Sequence, residues 1–340
     1  MSTAIQPFSM LQIGVETTPG TLVAATRQLV GKGHYKEEQD VYHPTYPRNK
    51  RATVGGAGTI IRKGSMLDFE SDLSFEQINW FLSTGLKGIT PPTVGVDGEY
   101  IWIYSPDLAA VPSLKAATVE VIRGDGTTNH YYREFGYAIT QKLGLEWKAN
   151  EIAKLKATMF GRAPQSGTAT GSLSAATGLE EMPSNLLKVY IDDTWAGLGG
   201  TQLQCSVRSA NVELDFGNKP DYTLDGRADL DNCQPQYGKI GATAALVLEF
   251  DSVGAAAAFT KARSNSLRYL RLIQLGSLIG GTTYKALKVD MACRFVSMPD
   301  DPDAQADGDT LLVGLALEAV YDTTSGKIYE VTTTNALVAL

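Results

Sequence analysis

Histidine and cysteine are scarce in this chain, three of each among 340 residues, and that scarcity narrows the chemistry open to it. Cys205, Cys233 and Cys293 lie far apart with no C-x-x-C pair, which argues for reduced thiols and against a zinc site or a disulfide framework. His34, His43 and His130 have no second histidine two to four residues away, so each reads as a hairpin-face or loop residue. There is no G-x-S-x-G elbow to carry a nucleophilic serine. The glycines at Gly55–Gly58 lack the G-K-[ST] ending of a phosphate loop and precede a strand pattern instead of a helix. No catalytic residue, cofactor or metal ligand is assigned.

Long apolar runs are missing as well. Charge-free stretches such as Val253–Thr260 fall far short of the roughly 20 residues needed to span a bilayer, so no membrane partner is expected. The opening MSTAIQPFSMLQIG has neither a basic start nor an apolar core, which gives the expectation of folding in a cytosol. Basic residues are in deficit, 30 Lys and Arg against 37 Asp and Glu, for a net charge of −7. That balance argues against tight binding to a nucleic-acid backbone, which needs clustered cations. Hydrophobic residues at 43% and charged residues at 20% are ordinary for a folded globular chain.

What is present is a period of two. Thr118–Ile122, His130–Phe135, Ile139–Trp147, Ile152–Phe160, Leu187–Ile191, Gln202–Phe216, Thr243–Phe250, Leu267–Leu275, Tyr284–Met298 and Leu311–Tyr321 all read as strands. Two stretches read as helices. Ser74–Gly85 has an S-x-x-Q capping box (Ser74, Gln77) and an apolar stripe of Phe75, Ile78, Phe81 and Leu82. Ser252–Arg263 is alanine-rich and ends in Lys261 and Arg263. The fold class is mostly β, as two tandem sandwich or barrel-like folds, each with one short flanking helix.

The tandem reading rests on an internal repeat. A strand with Asp68-Phe69-Glu70 runs into the first helix and one with Glu249-Phe250-Asp251 into the second, an offset of 181. Gly-Thr-Thr at Gly126 and at Gly281 marks a hairpin in each half, an offset of 155. The first half therefore carries 26 extra residues, read as a loop inserted at about residues 87–112. The boundaries expected are residues 1–162 for the first fold, 163–183 for a flexible Gly/Ser/Thr/Ala-rich linker, and 184–340 for the second.

Three loop clusters carry charge. Asp300, Asp301, Asp303, Asp307 and Asp309 crowd one loop, and Asp225, Asp229 and Asp231 another. Neither fits the spacing of a calcium-binding loop, so both read as solvated acidic loops. Arg48, Lys50 and Arg51, beside Tyr46 and Pro47, form a small basic group suited to an acidic patch on another copy.

The segments LQIGVETTPGTLVAAT, YKEEQDVYHPTYPR, LDFESDLSFEQINWFL, LEFDSVGAAAAF and LLKVYIDDTWAGLGGTQLQCSVRSANVELDFG, with YTLDGR after it, resemble the major tail protein that forms the tail tube of tailed bacteriophages. That resemblance implies a non-enzymatic virion protein, assembled in the host cytoplasm, whose rings stack into a hollow tube for DNA. It also implies tape measure, tail terminator and distal tail proteins as partners. The loops Lys36–Gly58 and Asp215–Gly241 then occupy the place of inter-ring contacts, with Tyr46, Pro47, Arg48, Lys50, Arg51, Tyr222, Asp225 and Arg227 as the candidate residues. The Asp300–Asp309 cluster becomes a candidate for the lumen surface. Two folds in one chain depart from single-fold members, so three chains are expected per pseudo-sixfold ring. The alternative class is a bacterial surface or secreted carbohydrate-binding β-sandwich.

Overall fold

The computed structural model describes residues 9–43, 58–86, 92–125, 129–167, 169–171, 173–174, 178–204, 206–224, 226, 229–250, 254–264, 266–299 and 310–340. In the first half the strands are β1 (Met10–Val15), β2 (Arg27–Leu29), β3 (Lys32–Tyr42), β4 (Thr59–Asp72), β5 (Thr93–Val94), β6 (Tyr100–Tyr104), β7 (Ala117–Gly124), β8 (Asn129–Lys148) and β9 (Lys154–Gly161). Helix α1 (Ile78–Gly85) follows β4. The second half contains β10 (Leu187–Asp192), β11 (Val207–Asp215), a small separate hairpin of β12 (Asn218–Asp221) and β13 (Gln234–Tyr237), and β14 (Gly241–Glu249). After α2 (Gly254–Arg263) come β15 (Arg268–Gly280), β16 (Thr283–Phe295), β17 (Leu312–Ala319) and β18 (Tyr329–Asn335). The protein is mostly β, every ladder is antiparallel, and sixteen of these strands form one branched sheet.

The two halves pair their strands in the same order. In the first half the chain of neighbours is β2-β1-β7-β8-β9-β4-β3. In the second it is β10-β15-β16-β17-β14-β11, with Gln202 bridging Tyr190 at the place of β2. Core registers correspond, apart from bulges in β8 that β16 lacks. The partners Ile13–Val119, Ala117–Ala138 and Thr140–Met159–Leu67–Tyr35 correspond to Ile191–Leu270, Arg268–Cys293 and Phe295–Leu317–Ala244–Val212. Leu67 thus falls on Ala244, 177 residues away, and Val119 on Leu270, 151 away. The two offsets differ by 26 residues, and the sequence anchoring of Phe69 on Phe250 is four residues out of this register. Phe69 is in the core at 2% exposure and its counterpart is the buried Leu246, whereas Phe250 is 43% exposed.

β8 carries the fold of the first half. Its first part pairs with β7 and its second with β9, so one strand runs through both layers. The crossing sits at Gly136-Tyr137, where Tyr137 takes φ 55°, the left-handed region. Buried Glu16 holds it there by accepting the Tyr137 N–H at 2.8 Å and the Thr118 hydroxyl at 3.1 Å. Sequence periodicity reads two strands here because this turn-like residue interrupts the alternation. Between the layers lies an apolar cluster drawn from both halves, including Trp80, Trp102, Trp147, Phe69 and Phe81. Side chains of this size contribute roughly 1.5–3 kcal/mol each on burial. At Gly33 the layers approach so closely that a Cβ would stand 2.3 Å from Leu11 Cδ1.

Three expectations need correction. Half of the capping box forms: Ser74 Oγ accepts the Gln77 N–H at 3.2 Å, but the Gln77 side chain turns away to the Val30 backbone and Ser71. The inserted residues are not all loop, because β6 adds to β18 and extends the sheet. The linker is not a free coil either. Gln165 bridges Glu134, Glu181 bridges Ser74, and Met182 is fully buried, because its apolar and backbone groups find partners along the sheet.

Candidate functional site: a charged sheet face shared by both halves

The halves meet edge to edge. The second part of β8 is flanked by β9 of its own half and by β11 of the other, with Lys148 opposite Ser209 and Lys142 opposite Asp215. Seven strands, β3-β4-β9-β8-β11-β14-β17, therefore form one continuous layer across the chain. Alternation decides its two faces. Leu67, Phe69, Leu155, Leu145, Val212, Leu246 and Leu315 point into the core, and the residues between them point out.

On the outer face the charges alternate from strand to strand. One cross-strand row runs Lys32, Glu70, Lys156, Gly144, Glu213, Thr243, Glu318, Arg294. The next runs Asp72, Lys154, Glu146, Asn211, Ala245, Ala316. Lys142 reaches Glu213 at 3.0 Å, Lys154 reaches Asp72 at 2.5 Å, Lys156 reaches Glu146 at 3.3 Å and Arg294 reaches Glu318 at 3.3 Å. The hydrogen bond to Glu213 raises the Lys142 ammonium above its ordinary range, and the bond to Asp72 does the same for Lys154. Exposed pairs of this kind contribute up to about 1 kcal/mol each. Their larger consequence is that this face has no net cationic field and no aromatic side chain in either row.

Beneath the face, three polar groupings tie the halves together. Trp147 Nε1 donates to Gln274 Oε1 at 2.7 Å, and Gln274 Nε2 donates to the Pro183 carbonyl at 2.6 Å. Lys285 of β16 lies 2.6 Å from Glu76, just before α1, and 3.3 Å from Glu180. Burial holds the Glu76 carboxyl above its ordinary range against the pull of Lys285. Asn79 of α1 accepts from Tyr104 at 3.0 Å and from Thr333 of β18 at 2.6 Å. These bonds fix the helix to β6 and to the last strand, β18.

Of the residues singled out by sequence, Tyr222 is described: it lies under the Arg62 guanidinium, whose carbon is 5.1 Å from its ring centre, and burial raises its hydroxyl pKa. Tyr46, Pro47, Arg48, Lys50, Arg51, Asp225, Arg227, Asp300, Asp301, Asp303, Asp307, Asp309 and Cys205 lie outside the described residues. The supposed Lys36–Gly58 loop begins as strand, since Lys36–Tyr42 is the second part of β3. The Asp215–Gly241 loop likewise contains the β12–β13 hairpin. Among the described residues no group of three or more His, Cys, Asp or Glu side chains is placed to hold a metal. Burial pushes the Cys293 thiol up to about 12, which leaves it protonated and unreactive at neutral pH. No helix is long and apolar enough to cross a membrane among the described residues. The charge rows are what sequence reading missed, because their order exists only once seven strands are in register.

No protein-family model matches this sequence, and no curated protein matches it.

Proposed function

We propose that this chain is a structural protein that assembles with copies of itself into rings, three chains to a ring, stacked as the hollow tail tube of a bacteriophage. The observation that carries this reading is the shared strand order of the two halves together with their edge-to-edge seam at β8 and β11. A fold that joins a second copy of its own order side by side has one half of a repeating contact already made within the chain. Closed rings need such a contact to be heterologous, with different edges meeting, and β8 against β11 is of that kind. Two tandem folds per chain then give three chains for six places.

The charge-balanced face suits the wall of a channel for DNA. Duplex DNA carries about one charge per 1.7 Å, and phosphate contacts add affinity cumulatively, so unpaired cations would hold it. Lys142, Lys154, Lys156 and Arg294 each have a carboxylate within hydrogen-bonding distance instead. The tail partners implied by the sequence resemblance, residence in the virion and assembly in the host cytoplasm belong to the same proposal.

Sedimentation over a concentration series, followed by electron microscopy of the heavy species, tests it. Hollow rings or tubes support the reading. A chain that stays monomeric at every concentration and binds glycans overturns it in favour of a carbohydrate-binding module.

A further inference from the structure

One cross-strand row of the first half carries a carboxylate where its counterpart carries a cation. In the second half Tyr190, Arg271 and Asp290 stand opposite one another, and the Arg271 guanidinium holds both Asp290 oxygens at 2.7 and 2.9 Å. The equivalent residues of the first half are Gln12, Glu120 and Glu134, again directly opposed on β1, β7 and β8. Glu120 is 1% exposed, and its two oxygens accept the Thr170 N–H at 3.1 Å and the Thr170 hydroxyl at 2.5 Å. Half-buried Glu134 accepts the Tyr132 hydroxyl at 3.2 Å. Burial first, and then the charges of Glu120 and Glu134, raise the pKa of that hydroxyl. Gln12 is fully buried beside them. Its Nε2 donates to the Gly171 carbonyl at 3.3 Å, whereas its Oε1 has no donor among the described residues. A buried acceptor without a partner is destabilising.

We propose that Gln12 Oε1 and the Glu120 and Glu134 carboxylates bind a calcium ion, which takes in this row the role of the Arg271 guanidinium in the other half. Every donor in the row is oxygen, the ligand type of hard cations, and there is no thiolate or imidazole to favour zinc or copper. Calcium accepts six to eight oxygens of mixed kind, whereas magnesium demands a near-ideal octahedron and keeps much of its water. Opposed residues on antiparallel strands have Cβ atoms about 4.5–5.5 Å apart, so the side chains flanking Glu120 reach a common point above it. Each carboxylate offers about four lone-pair sites, so Glu120 retains capacity beyond its two bonds to Thr170. Two carboxylates neutralise the divalent charge, the repulsion between them is removed, and Gln12 Oε1 gains a partner. With only two anionic ligands the site falls at the weak end of calcium binding, on the order of 10⁻⁴–10⁻³ M. Thr170 and Gly171 contact the same side chains, so the ion also holds this part of the connection between the halves against β7.

This site does not depend on the assembly reading, and its test does not involve the oligomeric state. The full chain is melted in EDTA and in calcium chloride at matched ionic strength. At about 10 mM calcium, an ion bound with the expected affinity should raise the melting temperature by about 2–4 °C. Magnesium chloride at the same concentration should give a smaller rise. Glu134→Gln, which relieves the repulsion in EDTA, should lose the response to calcium. Gln12→Glu supplies a third carboxylate, so it should melt lower than the natural chain in EDTA, respond more strongly to calcium and bind it more tightly by titration calorimetry with calcium chloride. A natural chain that melts at the same temperature in EDTA and in calcium overturns the proposal. So does a calcium response that both substitutions leave unchanged, because the ion then binds elsewhere in the chain.

Discussion

Lys142 and Glu213 lie 3.0 Å apart across the β8–β11 ladder, where the two halves of this chain meet edge to edge. Each lies in a half whose strands pair in the same order as those of the other half. The buried groups below it extend the same seam into the core. Because these buried contacts cross between the halves, the two halves are expected to unfold together.

Trp147→Phe tests that coupling. The ring volume is largely kept, but Gln274 Oε1 loses its donor in a buried site. A buried acceptor left unsatisfied costs roughly 1–3 kcal/mol, so the variant should unfold at lower denaturant concentration. The transition should remain single by both fluorescence and circular dichroism. Two separated transitions in the natural chain would show that the halves unfold independently.

Lys285→Met removes the cation between Glu76 and Glu180. Uncompensated buried charge costs about 3 kcal/mol or more, and the loss should depend on pH. Glu76 already has a folded-state pKa above its unfolded one, so protonation favours the fold and its favourable contribution fades as pH rises through the raised value. Without Lys285 that value rises further. The stability gap between variant and natural chain should therefore be small in acid and widen toward neutral pH, as read by denaturation at a series of pH values. A gap that narrows with rising pH would contradict the assignment.

Glu120 and Glu134 face each other on β7 and β8, where the second half has Arg271 and Asp290 in a two-pronged ion pair at 2.7 and 2.9 Å. Burial first, and then the Glu120 charge, raise the Glu134 pKa. Like charges directly opposed on a sheet cost about 0.2–1 kcal/mol. Glu134→Gln should accordingly stabilise the chain by that amount at neutral pH. The gain should vanish in acid, where Glu134 is protonated in the natural chain as well. Thermal melts at the two pH values check it.

How much of this was readable beforehand depends on where each residue's partner lies in the chain. Strands with one face in the core, such as Lys154–Gly161 and Leu312–Ala319, alternate cleanly and were found within a residue or two. In sequence β3 reads largely as loop, because Lys36, Glu37, Glu38 and Asp40 give it no apolar alternation. Only its register with β4 reveals it as strand, and its polarity is that of an edge. The apolar run Tyr100–Tyr104 has no local signature of a sheet strand, since its partner β18 lies more than 220 residues away. The charged face had no sequence signature, since its rows are assembled from strands distant in the chain.

Rotational symmetry of end-on ring images, averaged without imposed symmetry, tests the central claim most directly. The account predicts six lobes related by a threefold axis, alternating between two slightly different forms, with one chain to every two lobes. Six identical lobes with one chain each, or particles that never exceed a single chain, would contradict it.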